Sequence, residues 1–168
     1  AVIPYPPLTK DMHHEVELVV ALKSGGLNIA TDKALDHVYG YAVGIDLTRR
    51  DLQLASRKMQ RPWEVGKSFD HSAPCSAVVP AAKIGHPSKG KIWLSVNGTE
   101  RQTGDLSELI WNVPEIIWKL SQQVELAAGD IIMTGTPAGV AAIVAGDKIE
   151  CGVDGVGTLK VSIGPAAA

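Results

Sequence analysis

The chain has 168 residues, of which 45% are hydrophobic and 20% are charged. This size and composition fit one globular domain and exclude a disordered chain, which combines low hydrophobicity with high net charge. The formal net charge is -2, from 18 acidic and 16 basic residues, so a nucleic-acid partner is not expected. The apolar runs are far shorter than the roughly 20 residues of a membrane span, and we expect no membrane partner.

The first residues and the cysteines indicate a cytoplasmic location. Residues 1–9 carry three prolines and lack the charged segment that opens a signal peptide. Cys75 and Cys151 are too few and too far apart for a disulfide framework. We expect both to be free thiols in a reducing compartment.

Hydrophobic patterning predicts short elements in the first half of the chain. In chain order, the patterns predict a strand at 15–22, a short helix at 31–37, a strand at 38–47 and a helix at 49–59. Thr31 is the expected N-cap of the short helix, because its hydroxyl can accept from the first free N–H groups. Four prolines in residues 62–90 predict a long irregular segment with one short strand at 77–79.

The second half opens with the clearest local signal. Asn97-Gly98 separates two alternating runs and predicts a hairpin over 92–102, because both turn positions require a positive φ. Further along, the patterns predict a helix from Pro114 through Gln122, a strand at 131–133 and a last strand at 158–163. Strands and helices alternate too irregularly for a doubly wound sheet, so we predict an α+β, β-rich fold.

Two glutamates and an aspartate are candidate metal ligands. Glu15 and Glu17 are two residues apart in a predicted strand, so their side chains share a face with Cα atoms about 6.6 Å apart. Two such carboxylates can bind one hard cation, or they can belong to a solvated strand face. Asp46 ends the next predicted strand and can be a third ligand, a helix cap or an ion-pair partner of Arg49 or Arg50.

Candidate substrate contacts lie in three further segments. Arg49 and Arg50 can hold an anion in a bidentate manner, or they can form a charged helix face. Lys67 lies in a turn-like setting, where a lone lysine is usually solvated. The hydroxyls and N–H groups of residues 134–137, which directly follow an apolar run, can bind a carboxylate or can form a plain turn.

Two other motifs are rejected. Residues 85–91 nearly match a phosphate-binding loop, but Ile92 stands where the motif needs a hydroxyl and a hairpin follows in place of a helix. His13 and His14 are adjacent in an extended segment, so their side chains face opposite ways and do not easily share one zinc ion.

The order and spacing of four segments resemble the fumarylacetoacetate hydrolase family. The segments are HHEVELVV at 13–20, GYAVGIDLTRRDLQ at 40–53, GKSFDHSAP at 66–74 and TGTPAGV at 134–140. The resemblance covers about residues 6–163 and is greatest to the acylpyruvate hydrolases of the family.

The resemblance implies a fold, a cofactor and a set of site residues. The fold is a mixed β-roll, a partly open barrel with a few short helices, and the cofactor is a divalent metal, Mg²⁺ or Mn²⁺. The implied roles are metal ligation by Glu15, Glu17 and Asp46, catalysis by Lys67, and substrate contacts from Arg50, Gln53 and Thr136. A homodimer is also implied.

The implied activity is hydrolysis of a C–C bond in a β-diketo acid, an acylpyruvate such as fumarylpyruvate, as in aromatic catabolism. The products are pyruvate and a carboxylic acid. Decarboxylation, isomerisation or hydration of a related 2-keto acid through the same metal-stabilised enolate is the alternative. An inactive binding domain is an alternative of another class.

The family's water-activating residues are not recognised in this sequence, so either they lie on a segment of a longer protein or the general base comes from elsewhere. In related enzymes a His–Glu pair on an N-terminal lid activates water, upstream of the two metal-binding glutamates. Fourteen residues precede Glu15, and they lack the family's G-R-N-Y type of motif. We therefore predict a single catalytic domain over residues 1–168 without that lid segment.

Overall fold

The computed structural model describes residues 1–166 and is rich in strands. In chain order the strands are β1 Val2–Tyr5, β2 Met12–His13, β3 Val16–Leu22, β4 Val38–Ile45, β5 Thr48–Arg49, β6 Val79–Pro80, β7 Lys91–Val96, β8 Thr99–Asp105, β9 Ile131–Met133, β10 Ala142–Ile143, β11 Lys148–Val153 and β12 Gly157–Ala166. The α-helices are α1 Arg50–Lys58, α2 Glu64–Lys67, α3 Ala81–Ile84 and α4 Val113–Ser121, and 3₁₀ turns cover Thr31–His37 and Leu106–Glu108.

The strands form three sheets around one aliphatic core. Their orders are β1-β12-β11-β7-β8, β10-β2-β5 and β6-β4-β3-β9. The sheets do not close into a complete barrel over the described residues, and buried side chains from all three join in one cluster. The predicted α+β, β-rich fold class is confirmed.

β3 is one of the two inner strands of the four-stranded sheet. All seven of its residues are buried, because β4 and β9 pair with its two edges and side chains cover both faces. Each fully buried Val or Leu contributes about 1.5–3 kcal/mol through removal of apolar surface from water. β3 is therefore a rigid support for the residues at its amino end.

The hairpin of β7 and β8 contains a bulge that the sequence did not predict. Asn97 and Gly98 have φ of 52° and 80°, as the predicted two-residue turn requires. Beyond the turn, Ser95 pairs with Glu100 but Leu94 pairs with Gln102, so Arg101 is an extra residue on β8. The bulge turns the Gln102 side chain to the buried face.

The predicted helix at residues 114–122 is present as α4, one residue earlier at each end. Asn112 accepts from the N–H of Glu115 at 3.0 Å, and the Glu115 carboxylate accepts from the N–H of Asn112 at 2.8 Å. This reciprocal capping box, with proline in the first turn, stabilises the start of the helix.

Several local predictions are corrected. The segment 62–90 contains two four-residue helices, α2 and α3, as well as a short strand that begins two residues later than predicted. The 3₁₀ turn starts at Thr31, so its N-cap is Ala30, which makes no side-chain cap. The residues before Pro6 form β1, which pairs in parallel with β12, although their prolines gave no strand signal.

Two further expectations concern cysteines and membranes. Cys75 is exposed and Cys151 buried, and both are free thiols. Within residues 1–166, no helix combines the length and apolar character needed to cross a bilayer.

Candidate active site

Three carboxylates converge where β3 begins and β4 ends. Glu15, Glu17 and Asp46 each place a carboxylate oxygen so that the three atoms lie within 4.8 Å of one another. Glu15 and Glu17 are buried and Asp46 is half-buried. The sequence predicted this group as the metal ligands, and the structure brings all three together.

The backbone explains this convergence. The extended chain places Glu15 and Glu17 on one face, and the N–H of Asp46 donates to the carbonyl of Glu15 at 2.8 Å. Gly44 pairs with Glu17 across the ladder. A Cβ at Gly44 would lie 2.5 Å from Cγ2 of Val19, so glycine is required for the close packing beside Glu17.

Lys67 lies against this cluster and uses all three of its N–H groups. Nζ donates to Glu15 Oε2 at 2.7 Å, to Asp46 Oδ2 at 2.6 Å and to Thr48 Oγ1 at 2.8 Å. Lys67 ends α2, in place of the loop setting that the sequence predicted. The residue before it is Gly66. The packing of α2 on α1 places the lysine at the site.

Gly66 permits this close packing. A Cβ at Gly66 would lie 2.9 Å from Cβ of Gln53 and 3.0 Å from its Cα. Such distances are well below ordinary carbon contacts of about 3.5–4.0 Å. A side chain at position 66 would therefore push α2 away from α1.

Arg50 and Gln53 form the side of the site contributed by α1. The Arg50 guanidinium donates to Glu15 Oε1 and to Gln53 Oε1. Gln53 is buried, and its contact holds the guanidinium beside the carboxylates. The guanidinium of Arg49 instead stacks on Phe69, with Cζ 4.3 Å from the centre of the ring. Of the two arginines, Arg50 alone contacts the cluster.

Thr136 reaches the site through the loop that follows β9. Thr134 Oγ1 donates to the carbonyl of Leu18 at 2.9 Å, and the N–H of Gly135 donates to Glu17 Oε2 at 2.6 Å. The loop is thus tied to β3 beside the second glutamate. Thr136 is half-buried, and it borders a groove of about 430 Å³ that Leu106 and Trp111 also line.

Burial and charge shift the protonation of the cluster. Burial raises the pKa of Glu17 from 4.5 to about 7, and the nearby Asp46 and Glu15 carboxylates add to this increase. Burial also raises the pKa of Asp46, although Lys67 opposes the change. For Lys67, burial lowers the pKa, but hydrogen bonds to Asp46 and Glu15 outweigh burial and the net pKa is raised.

The donor set fits a hard divalent cation. It consists of carboxylate oxygens, which Mg²⁺ and Mn²⁺ prefer. Against three carboxylates, Lys67 and Arg50 supply two positive charges, which leaves an excess of one negative charge when all are ionised. A divalent cation would reverse the sign of the site and offset the carboxylate repulsion that adds to the effect of burial on the pKa of Glu17.

Sequence reasoning missed two polar residues at this site. Thr48 is fully buried and accepts from Lys67, and Gln102 is 1% exposed and donates to Thr136 at 2.7 Å. Thr48 could have been found from the sequence, because its hydroxyl lies only two residues after the candidate ligand Asp46. Gln102 gave none, because the unbulged hairpin would pair Leu94 with Arg101.

Comparison with known proteins gives the family. The sequence model of the "Fumarylacetoacetate (FAA) hydrolase C-terminal" family matches residues 1–163. The chain is 46% identical over 166 residues to fumarylpyruvate hydrolase of a Ralstonia species, covering 99% of this chain and 86% of that protein. It is 42% identical over 158 residues to the human mitochondrial oxaloacetate tautomerase FAHD1, covering 94% of this chain and 72% of that protein.

A solved structure extends the likeness to three dimensions. The crystal structure of fumarylpyruvate hydrolase from Pseudomonas aeruginosa, in complex with Mn²⁺ and pyruvate, superposes with a TM-score of 0.94 at 45% identity. The match covers 98% of this chain and 75% of that one. With a family model matched over nearly the whole chain, this protein belongs to the fumarylacetoacetate hydrolase family.

Proposed function

We propose that this protein is a metal-dependent hydrolase that cleaves a C–C bond in an acylpyruvate such as fumarylpyruvate. The observation that carries the proposal is the cluster of Glu15, Glu17 and Asp46 with Lys67 and Arg50 against it. The 46% identity to a fumarylpyruvate hydrolase over 99% of the chain supports the same substrate class.

Glu15, Glu17 and Asp46 are the proposed ligands of Mn²⁺ or Mg²⁺. The relative from Pseudomonas aeruginosa binds Mn²⁺ and pyruvate, which supports Mn²⁺ as the first metal to test. When bound, the cation supplies Lewis-acid stabilisation of negative charge on a keto acid.

The side chains around the ligands have distinct proposed roles. Arg50, held by Gln53, and the hydroxyl of Thr136 bind the carboxylate end of the substrate, because both can donate to an oxyanion. Lys67 is the proposed catalytic residue, and its ammonium stabilises developing enolate charge.

The bond changes balance for a simple hydrolysis. Water adds to the acyl carbonyl distant from the carboxylate, and the bond between that carbon and C3 of the pyruvate unit breaks. The electron pair passes to the pyruvate unit as an enolate, which takes up a proton. The acyl group leaves as a carboxylic acid, so the products are that acid and pyruvate.

Further proposals rest on the resemblance. We propose that residues 1–168 form a single catalytic domain, and we assign no general base among them. A cytoplasmic homodimer is the proposed state of the protein, and sedimentation of the purified protein tests the dimer.

The experiment uses the full-length protein, stripped with EDTA and reloaded with Mn²⁺ or Mg²⁺. Loss of the diketone absorbance of fumarylpyruvate is followed together with pyruvate release. We expect both to occur at equal rates and to require metal. Lys67→Met should lower kcat about 100-fold or more, the magnitude usual for a lost oxyanion donor. Lys91→Met, which removes an exposed lysine paired with Glu100, is the matched control and should leave kcat unchanged.

Other products would indicate the alternative reactions. Absorbance loss without pyruvate would favour isomerisation, and CO₂ release from oxaloacetate would favour decarboxylation. A metal-loaded protein that leaves a panel of acylpyruvates intact would overturn the proposed function.

A further inference from the structure

Gln102 is a fully buried amide at the junction of the two halves of the site. Its Oε1 accepts from the backbone N–H of Val16 at 3.1 Å and lies 2.8 Å from Nδ1 of His14. Its Nε2 donates to Thr136 Oγ1 at 2.7 Å and to the carbonyl of Pro137 at 2.9 Å. A primary amide has two donor hydrogens and two acceptor lone pairs, so these contacts use its full capacity.

The partners fix the orientation of the amide. The backbone N–H of Val16 can only donate and the carbonyl of Pro137 can only accept, so Oε1 must face Val16 and Nε2 must face Pro137. The remaining contacts follow. Nδ1 of His14 carries its hydrogen and donates to Oε1, and Thr136 Oγ1 accepts from Nε2.

This arrangement determines what the Thr136 hydroxyl can do. Because its oxygen accepts from Gln102, its own hydrogen points away from the amide. Thr136 is half-exposed at the site, and its hydroxyl is therefore set as a donor. A carboxylate can only accept, so a hydroxyl hydrogen that points away from the amide is available to donate to it.

The strand that carries Gln102 also shapes the threonine loop. A Cβ at Gly139 would lie 2.1 Å from the carbonyl oxygen of Arg101, and one at Gly104 would lie 3.0 Å from Cβ of Pro137. The loop is thus packed directly on the backbone of β8. The same amide contacts Val16, which lies between the two glutamates of the carboxylate cluster.

We propose that Gln102 is a positioning residue that holds the Thr136 hydroxyl as a hydrogen-bond donor for the carboxylate of the bound keto acid. It also fixes the distance between that hydroxyl and the carboxylate cluster, because one amide joins both. The proposal rests on the proposed function for the identity of the ligand.

The test is a double-mutant cycle on the Mn²⁺-loaded, full-length protein, with pyruvate as the probe ligand. In Gln102→Met, the methionine side chain has nearly the same shape as glutamine but lacks the amide donor and acceptor groups. We expect it to weaken pyruvate binding about 10- to 100-fold, the range for a lost hydrogen bond to a charged group. In the Thr136→Val background the same change should alter pyruvate affinity by less than about threefold, since the hydroxyl it positions is gone.

Controls separate positioning from general damage. Thr136→Ser should restore pyruvate affinity, because it keeps the hydroxyl. Mn²⁺ affinity should stay within about threefold in all variants, and Gln123→Met, at an exposed glutamine, should change nothing. An equal loss of pyruvate affinity in both Thr136 backgrounds, or unchanged affinity in Gln102→Met, would overturn the proposal.

A measurement on the unmutated protein covers the case in which Gln102→Met does not fold. Nitrogen-15 NMR should show slowly exchanging side-chain NH₂ signals for Gln102 and the Nδ1–H tautomer of His14. Fast-exchanging amide signals would overturn the proposal. If the wild-type protein binds pyruvate but cleaves no acylpyruvate, the proposed function fails. The effect of Gln102 on pyruvate affinity through Thr136 can then still be measured by the same cycle. If it does not bind pyruvate, the positioning proposal fails as well.

Discussion

Glu17→Gln should have opposite effects on stability without and with metal. Glu17 is 3% exposed and has a pKa raised to about 7 by burial and by the neighbouring carboxylates. Glutamine has nearly the same shape, cannot ionise, and can still accept from the N–H of Gly135, which donates to Glu17 at 2.6 Å.

The magnitude follows from the pKa values. The unfolded carboxyl ionises near 4.5 and the folded one at about 7, so between these pH values the folded state binds one proton more than the unfolded state. The free energy of unfolding of the wild type therefore falls as pH rises through this window. At about 1.4 kcal/mol for each pKa unit, the loss reaches about 3 kcal/mol above pH 7. Glu17→Gln avoids this loss and should be more stable by up to that amount.

Metal should reverse the order. A cation at about 1,000 times its Kd stabilises the wild type by about 4.1 kcal/mol, which exceeds the loss of about 3 kcal/mol, and it should add little to a variant that lacks one ligand. The assay is urea unfolding followed by tryptophan fluorescence between pH 5 and 8, in EDTA and in excess Mn²⁺. Glu100→Gln, at an exposed ion pair with Lys91, is the control and should stay within about 0.5 kcal/mol.

Two results would refute this reasoning. One is a Glu17→Gln variant that is less stable than the wild type at pH 8 in EDTA. The other is a stability difference between them that does not change with pH.

Three more outcomes are expected. Gly66→Ala should lower the free energy of unfolding by about 1–3 kcal/mol, because a Cβ 2.9 Å from that of Gln53 displaces α2. The loss in kcat, expressed as a free energy, should be larger than this loss of stability, and equal losses would contradict the prediction. Asn112→Ala should remove about 1 kcal/mol of stability through the lost capping box and leave Mn²⁺ affinity unchanged in a calorimetric titration. Cys151, whose pKa is raised to about 12 by burial, should resist alkylation until the protein unfolds, whereas the exposed Cys75 reacts in the native state, and mass spectrometry of the labelled protein distinguishes the two thiols.

The carboxylate cluster could be predicted because its signal is local. Glu15 and Glu17 share a face through the period of a strand, and Asp46 ends the strand that pairs with theirs. These relations depend on spacing and on one ladder, both of which can be inferred from sequence. The order of the segments then allowed Lys67 and Thr136 to be predicted by resemblance.

The parts that could not be predicted depend on non-local packing. The inward turn of Gln102 requires a bulge whose position depends on the pairing of β7 with both neighbours. Lys67 reaches the carboxylate cluster only because α2 packs on α1 at Gly66. This packing lies within a segment that the sequence pattern predicts to be irregular. The proline-rich residues at the start gave no strand signal. β1 forms because its backbone pairs in parallel with the edge of β12.

The three hydrogen bonds of Lys67 have a consequence for how the site acquires its ion. The ammonium satisfies two of the three carboxylates from within the chain, so it acts as an internal counter-ion. At the proposed ligands, metal uptake would then be an exchange, in which an incoming ion competes with a tethered ammonium for the same oxygen atoms. A singly charged ion such as K⁺ offers those oxygens no more charge than the lysine already does, whereas a doubly charged ion does. Lys67 thus favours doubly charged over singly charged cations at this site, whatever their size or preferred coordination geometry.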